Sequence, residues 1–126
     1  MEDRTELSEL GEFGLIKKIE EAVKITNKST LKGIGDDAAV LDGGNQKMVV
    51  STDMLNEGVH FDLSYVPLKH LGYKAAIVNF SDILAMNAYP SQMLVSIGLS
   101  NRFSLEAVDE IYDGLLKACD LYNVDL

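Results

Sequence analysis

Apolar residues recur at helical spacing in three stretches of the chain, and this pattern predicts three helices. The first is amphipathic over residues 15–23 and ends near the polar run 26–30. The second is a long, mostly buried helix that runs from residue 68 to about residue 86. The third begins after Ser104, a suitable N-cap residue, and carries one apolar stripe over residues 105–119.

Short β-rich runs lie between these helices. Residues 38–41 and 48–51 flank the turn residues 42–45, which predicts a hairpin. Residues 93–99 predict another strand, and residues 124–126 predict the start of a further one. The expected order is α-β-β-α-β-α-(β). This order predicts an α+β fold with helices packed on one face of a mixed sheet.

The composition is that of one globular domain. The chain has 126 residues, of which 47% are hydrophobic and 25% are charged. Residues 1–10 are polar and acidic, and we expect them to form a flexible tail before a domain at 11–126. No apolar run approaches the ~20 residues of a membrane span. No signal peptide is visible either, so we expect a cytoplasmic protein.

Charge and cysteine content narrow the classes of function. The chain has 20 acidic and 11 basic residues, a net charge of -9, which argues against binding to nucleic acid or to anionic membranes. The single cysteine, Cys119, excludes an intramolecular disulfide. Because it lies in an apolar stripe, we expect a small buried side chain and not a nucleophile.

Several oxygen-bearing side chains are candidates for chemistry. Asp82 lies inside an apolar helix, three residues after Asn79, where a buried carboxylate needs a compensating partner. Taken singly, each carboxylate also has an ordinary explanation as a turn, cap or solvated residue. Together they predict a magnesium site, because Mg²⁺ prefers oxygen ligands. Its candidate ligands are Asp36, Asp37, Asp53, Asp82, Ser51 and Thr52.

Four segments together carry a family resemblance: 11–13, 33–40, 51–61 and 72–86. In order along the chain, they closely resemble the amino-terminal half of the thiamine-monophosphate kinase family, and the resemblance extends to Leu126. The Asp-Asp turn and the Asn-x-Ser-Asp helix are shared with aminoimidazole ribonucleotide synthetase and selenophosphate synthetase. The Ser-Thr-Asp…Glu-Gly-x-His-Phe stretch points to the thiamine enzymes.

The resemblance implies the amino-terminal domain of the aminoimidazole ribonucleotide synthetase-like fold, which binds ATP and several Mg²⁺ ions and dimerises through its sheet. It also implies transfer of the ATP γ-phosphoryl group to thiamine monophosphate, giving thiamine diphosphate. Because the candidate aspartates come with no paired Ser–His or Cys–His nucleophile, we expect this transfer to be direct, in-line and assisted by Mg²⁺. No residue is expected to act as nucleophile or base. The implied metal ligands are Asp37, Asp53 and Asp82, with Ser51 and Thr52 assisting and Asp36 weaker. His60 would face thiamine monophosphate, and Tyr112 loosely matches a tyrosine near the nucleotide.

Two departures from the family pattern qualify this reading. Asn87 stands where the family has glycine, a mild change because asparagine tolerates the left-handed conformation. The family motif Gly-Gly-Asp-Thr-Thr, expected directly after Leu126, and the carboxy-terminal domain are absent. We therefore expect a fragment that is inactive alone. The alternatives are a dimerisation and metal-binding module, or another superfamily member such as a selenophosphate synthetase.

Overall fold

The computed structural model of the chain describes residues 7–126, which fall into two compact units divided after Val50. The first unit contains a helix and a three-stranded antiparallel sheet, and the second contains two long helices. The elements are α1 (Leu7–Ala22), β1 (Thr30–Lys32), β2 (Ala39–Asp42), β3 (Lys47–Val50), α2 (Leu68–Ala85) and α3 (Leu105–Tyr122). These elements confirm the predicted α+β class.

Helix α1 is broken at Gly11, whose φ of 64° lies in the left-handed region that favours glycine. It ends at Ala22, several residues before the predicted boundary. Its apolar face is only partly covered, since Ile19 is 46% exposed and Val23, just beyond the helix, is 50% exposed. Of the tail expected over residues 1–10, residues 7–10 belong to α1, and the other six lie outside the described residues.

The predicted hairpin is confirmed as β2 and β3. Their antiparallel register pairs Ala39 with Val50 and Asp42 with Lys47, so the start of β2 lies opposite the end of β3. The Asp42 carboxylate accepts a hydrogen bond from the Gly44 N–H (2.9 Å), which closes the turn. Strand β1 was not predicted, because three residues are too few to show a periodic pattern. It pairs with β2, so the glycine-rich turn at residues 33–37, which contains the Asp36-Asp37 pair, connects these two strands.

In the second unit, α2 and α3 cross at two glycines. A Cβ atom built on Gly72 would lie 1.9 Å from the Ile111 carbonyl oxygen, and one built on Gly114 would lie 1.9 Å from the Lys69 carbonyl oxygen. Only glycine permits main chains to approach this closely. The core of this unit forms around the crossing from Ala76, Phe80, Ile111, Leu115, Ala118, Cys119 and Val124.

Helix α3 has the predicted start and a well-defined end. The Ser104 hydroxyl accepts from the Ala107 N–H (3.2 Å), and Asn123 ends the helix in the left-handed conformation. Cys119 is buried at 3% exposure, as expected. Burial raises the pKa of its thiol, and the nearby Asp120 carboxylate adds to this effect. Across residues 7–126, no helix is both long enough and apolar enough to span a membrane.

The strand predicted at residues 93–99 is wrong. In the described part of the chain, this segment has no ladder of its own, and the nearest pairing is a single parallel bridge between Gln92 and Asp125. Leu94 is 98% exposed. An apolar run has the composition of a strand, but a strand also needs a neighbour with free backbone groups. Among the described residues, parallel pairing is limited to isolated bridges. The three-stranded sheet is antiparallel, where a mixed sheet was predicted.

Candidate functional site

Two hydrogen bonds join helix α2 to the segment that follows β3. The Ser51 hydroxyl donates to a carboxylate oxygen of Asp82 (3.2 Å). The Asp53 N–H donates to the side-chain carbonyl oxygen of Asn79 (2.9 Å). The structure thus brings together Ser51, Asp53 and Asp82, three of the predicted ligands, within the second unit.

The spacing of Asn79 and Asp82 explains why one helix can make both contacts. Residues three apart lie on the same face of an α-helix. The Asn79 amide nitrogen donates to the Ala75 carbonyl (2.9 Å) one turn earlier, which orients the amide so that its oxygen faces Asp53. Asp82 is half-buried and Asp53 is exposed, so one carboxylate is held in place while the other reaches solvent.

The chemistry of these groups suits a hard cation. Two carboxylates and a hydroxyl provide oxygen ligands, and Mg²⁺ is ordinarily held by one or two carboxylates together with water and substrate phosphates. Thr52 is exposed between Ser51 and Asp53. Among residues 7–126, no group of three or more histidine, cysteine or acidic side chains forms a metal cage by itself. Metal binding by Ser51, Thr52, Asp53 and Asp82 therefore remains a prediction.

The acidic pair of the glycine-rich turn belongs to the first unit. The ammonium group of Lys32 pairs with one carboxylate oxygen of Asp36, and the other oxygen accepts from the Asp37 N–H (3.0 Å). These bonds hold the pKa of Asp36 below its usual value, with the Lys32 hydrogen bond as the largest cause. An oxygen already paired with an ammonium is a poorer metal ligand. Asp36 and Asp37 as metal ligands remain predictions.

His60 lies in a tight loop before α2. The His60 Nδ1 accepts from the Asn56 main-chain N–H (2.9 Å), and the His60 main-chain N–H donates to the Asn56 carbonyl (2.9 Å). Lys74 of α2 donates to the His60 carbonyl (2.6 Å). The exposed imidazole lines an open pocket of about 210 Å³ together with Gly58, Val59, Phe61, Asp62 and Tyr65.

Comparison with known proteins identifies the family of this chain. The sequence pattern of the family described as AIR synthase related protein, N-terminal domain, matches residues 35–126 of this chain. That match covers well over half of the sequence. The chain belongs to the AIR synthase related family.

Relatives that resemble this chain are thiamine-monophosphate kinases. The protein from Aquifex aeolicus (strain VF5) is 41% identical over 120 residues, which are 95% of this chain and 37% of the relative. The protein from Synechococcus elongatus is 36% identical over 127 residues, 100% of this chain and 37% of the relative. The chain therefore spans a little over a third of the length of these relatives.

A solved structure also resembles this AIR synthase related chain. It is described as AaThiL complexed with AMPPCP and TMP. The likeness has a TM-score of 0.84 and 36% identity, and it covers 98% of this chain and 38% of the other. This match confirms the expected amino-terminal fold.

The family departure at Asn87 is accommodated as expected. Asn87 adopts a φ of 55° directly after α2 and its C-cap residue Met86, and its N–H donates to the Leu84 carbonyl (3.0 Å). Tyr112 is half-buried and packs against the core of the second unit. Its contact with a nucleotide remains a prediction.

The sequence did not predict the side chains that position the candidate functional residues. Asn79 was noted only as a neighbour of Asp82, and the structure shows it binding the Asp53 main chain. Lys32 of the first unit and Lys74 of the second were not predicted to have a role, and each makes a specific hydrogen bond. Only the helical spacing of Asn79 and Asp82 gave a sequence signal for any of these contacts.

Proposed function

We propose that this chain is the amino-terminal part of a thiamine-monophosphate kinase, which transfers the γ-phosphoryl group of ATP to thiamine monophosphate to give thiamine diphosphate. The observation that carries the proposal is the pair of bonds by which α2 holds the segment of Ser51 and Asp53: Asp82 accepts from the Ser51 hydroxyl, and Asn79 accepts from the Asp53 N–H. Supporting it, the relatives are thiamine-monophosphate kinases, and the similar structure is described with AMPPCP and TMP.

In this proposal, Asp53 and Asp82 are the principal magnesium ligands of the second unit, with Ser51 and Thr52 assisting. Asp37 and, more weakly, Asp36 stay predicted ligands in the first unit. Magnesium, when bound, supplies the positive charge that offsets repulsion between phosphates. The Ser51 hydroxyl orients the Asp82 carboxylate, and Asn79 holds the main chain at Asp53. The protein's own work is therefore to hold the Asp82 carboxylate and the main chain of Asp53 at set positions before substrates arrive.

The chemistry requires positioning more than proton transfer. A phosphate monoester has its second pKa near ~6, so the acceptor is largely a dianion at neutral pH and needs no general base. The main obstacle is repulsion, because two unit charges ~4 Å apart repel by about 4 kcal/mol at an effective dielectric of ~20. Direct in-line transfer without a phosphoenzyme follows, since the acceptor itself is the nucleophile.

The test uses a chimera in which this chain replaces the matching first part of the Aquifex aeolicus relative. We expect the chimera to convert ATP and thiamine monophosphate to thiamine diphosphate. We expect Asp82→Asn to lower turnover at least about a hundredfold, because changes to residues that merely support metal ligands already cost about 10–100-fold. Asp109→Asn, the same change on an exposed carboxylate of α3, is the matched control and should leave turnover unchanged.

The outcomes separate this function from its rivals. A chimera that binds ATP but never transfers phosphate to thiamine monophosphate would favour a binding module. A chimera that prefers selenide as acceptor would favour a selenophosphate synthetase. Unchanged turnover in the Asp82→Asn variant would remove the metal role from Asp82. Turnover by the 126-residue chain alone would overturn the expectation that a fragment is inactive.

The proposal includes a cytoplasmic homodimer that pairs through the sheet. Strand β3 is at one edge of the described sheet, and Met48 and Val50 on it are 55% and 46% exposed. Exposed apolar side chains on an edge strand favour pairing with another strand. Sedimentation should show a dimer that Val50→Lys dissociates. A monomer at every concentration tested would contradict the proposed dimer and would leave the proposed catalytic function unaffected.

A further inference from the structure

The loop at residues 56–61 is closed by its own hydrogen bonds. Besides the reciprocal pair between Asn56 and His60, the Gly58 N–H donates to the Phe61 carbonyl (2.7 Å). Gly58 adopts a φ of 76°, a left-handed conformation that glycine reaches without strain. The loop is therefore a defined local structure in which the His60 side chain takes part.

The hydrogen bond to His60 fixes the position of its ring proton. A backbone N–H always donates, so Nδ1, which receives the Asn56 N–H, carries no proton. In the neutral imidazole, the proton must then lie on Nε2. Because the residue is exposed, the ring presents an Nε2–H donor toward solvent and toward the pocket that it lines.

One side chain connects this loop to the helix that carries Asn79 and Asp82. Lys74 lies on α2, and its ammonium group donates to the His60 carbonyl (2.6 Å). A charged donor makes a stronger hydrogen bond than a neutral one. The connection holds the main chain of His60 at a set position relative to α2, and the bond from Asn56 then sets the ring.

We propose that Lys74 is a positioning residue: it anchors the 56–61 loop on α2, so that His60 presents its Nε2–H as a hydrogen-bond donor to the phosphorylated acceptor. The second half of this statement rests on the proposed kinase function. The first half concerns geometry alone. Lys74 is a positioning residue because it acts through the His60 main chain.

The geometric half is tested by NMR on the ¹⁵N-labelled chain. A hydrogen bond from the Asn56 N–H to Nδ1 produces a scalar coupling between the two nitrogens, which a ring turned away cannot give. We expect this coupling in the wild-type chain and in Lys74→Arg, and its loss or marked weakening in Lys74→Met. Lys117→Met, the same change on an exposed lysine of α3, should retain it. Absence of the coupling in the wild type, or an equal coupling in Lys74→Met, would overturn the proposal.

The functional half is tested in the chimera described above. We expect Lys74→Met to raise the KM for thiamine monophosphate about three- to tenfold, the effect of one lost hydrogen bond, while the KM for ATP stays unchanged. Lys74→Arg should restore most of the loss. An unchanged KM for thiamine monophosphate, or equal rises for both substrates, would refute the positioning role.

Failure of the two proposals can be told apart. If the chimera does not turn over but the coupling responds to Lys74 as expected, the kinase function and the assignment of the acceptor fail, and the anchoring of the loop stands. If the chimera turns over but the coupling does not respond to Lys74, only the positioning role fails.

Discussion

The close crossing of α2 and α3 predicts that Gly72→Ala destabilises the chain. The added Cβ would lie 1.9 Å from the Ile111 carbonyl oxygen and 2.8 Å from its carbon, far inside the 3.4 Å at which ordinary contact begins. Both clashing atoms belong to main chain, so a side-chain rotation cannot relieve them and the helices must separate. Separation would open the core around Ile111 and Leu115.

The magnitude is set by two opposing effects. Overpacking costs about 1–3 kcal/mol, and a clash with main chain belongs at the upper end of that range. Alanine in place of glycine returns about 1 kcal/mol of helix propensity. The expected net loss is therefore about 2 kcal/mol. With a urea dependence of about 1–3 kcal/mol per molar for a small protein, the unfolding midpoint should fall by roughly 1 M.

Urea unfolding followed by circular dichroism measures this loss. Gly98→Ala is the matched control, because a Cβ built there meets no atom within 4 Å, and its midpoint should stay close to that of the wild type. The reasoning would be refuted if Gly72→Ala were as stable as the wild type or more stable. In that case helix propensity would outweigh the steric clash, and the crossing would be looser than the structure shows.

Three further substitutions test local features of the fold. Ser104→Ala removes the N-cap hydrogen bond from the Ala107 N–H and should lower the free energy of unfolding, measured by thermal denaturation, by about 1 kcal/mol. The control Ser96→Ala should leave it almost unchanged. Asn87→Gly should stabilise the chain by up to about 1 kcal/mol, since φ is 55° there, and a lower urea midpoint would contradict this. Asp36→Asn should lower stability by a constant amount above pH about 3.8, the ordinary pKa of the group, because the folded-state pKa of Asp36 lies below that value. The difference from the wild type should shrink as the pH falls below 3.8 and through the lower folded-state pKa. A constant difference between pH 7 and pH 2 would count against the Lys32 pair.

Local patterns predicted the helices and the hairpin well, because the signals that define them lie within a few residues. The Ser104 cap, the apolar stripe of α3 and the turn after Asp42 all act over such short distances. The strand predicted at residues 93–99 failed for the opposite reason. Its formation depends on a partner elsewhere in space, and composition carries no information about that partner.

The candidate site also combines residues that the sequence predicted with contacts that it did not. Asp53 and Asp82 were predicted as residue types suited to Mg²⁺, but the groups that position them were not. Asn79 binds the main chain of Asp53, so nothing about the side chain at position 53 signals the contact. From sequence alone, a glycine at position 72 inside a helix indicates only a small cost in helix propensity. The structure shows that it permits close approach to a residue far along the chain, Ile111.

Three polar features of the second unit depend on the placement of one helix. Helix α2 receives the Ser51 hydroxyl at Asp82, holds the Asp53 main chain through Asn79, and anchors the His60 loop through Lys74. Because the glycine crossing with α3 sets where α2 lies, a shift of the helix would disturb all three contacts together. Asp82→Asn changes a charge and leaves the helix in place. Loss of the Asn56–His60 coupling in Gly72→Ala, with its retention in Asp82→Asn, would show that packing at the crossing positions the loop independently of the charge at Asp82.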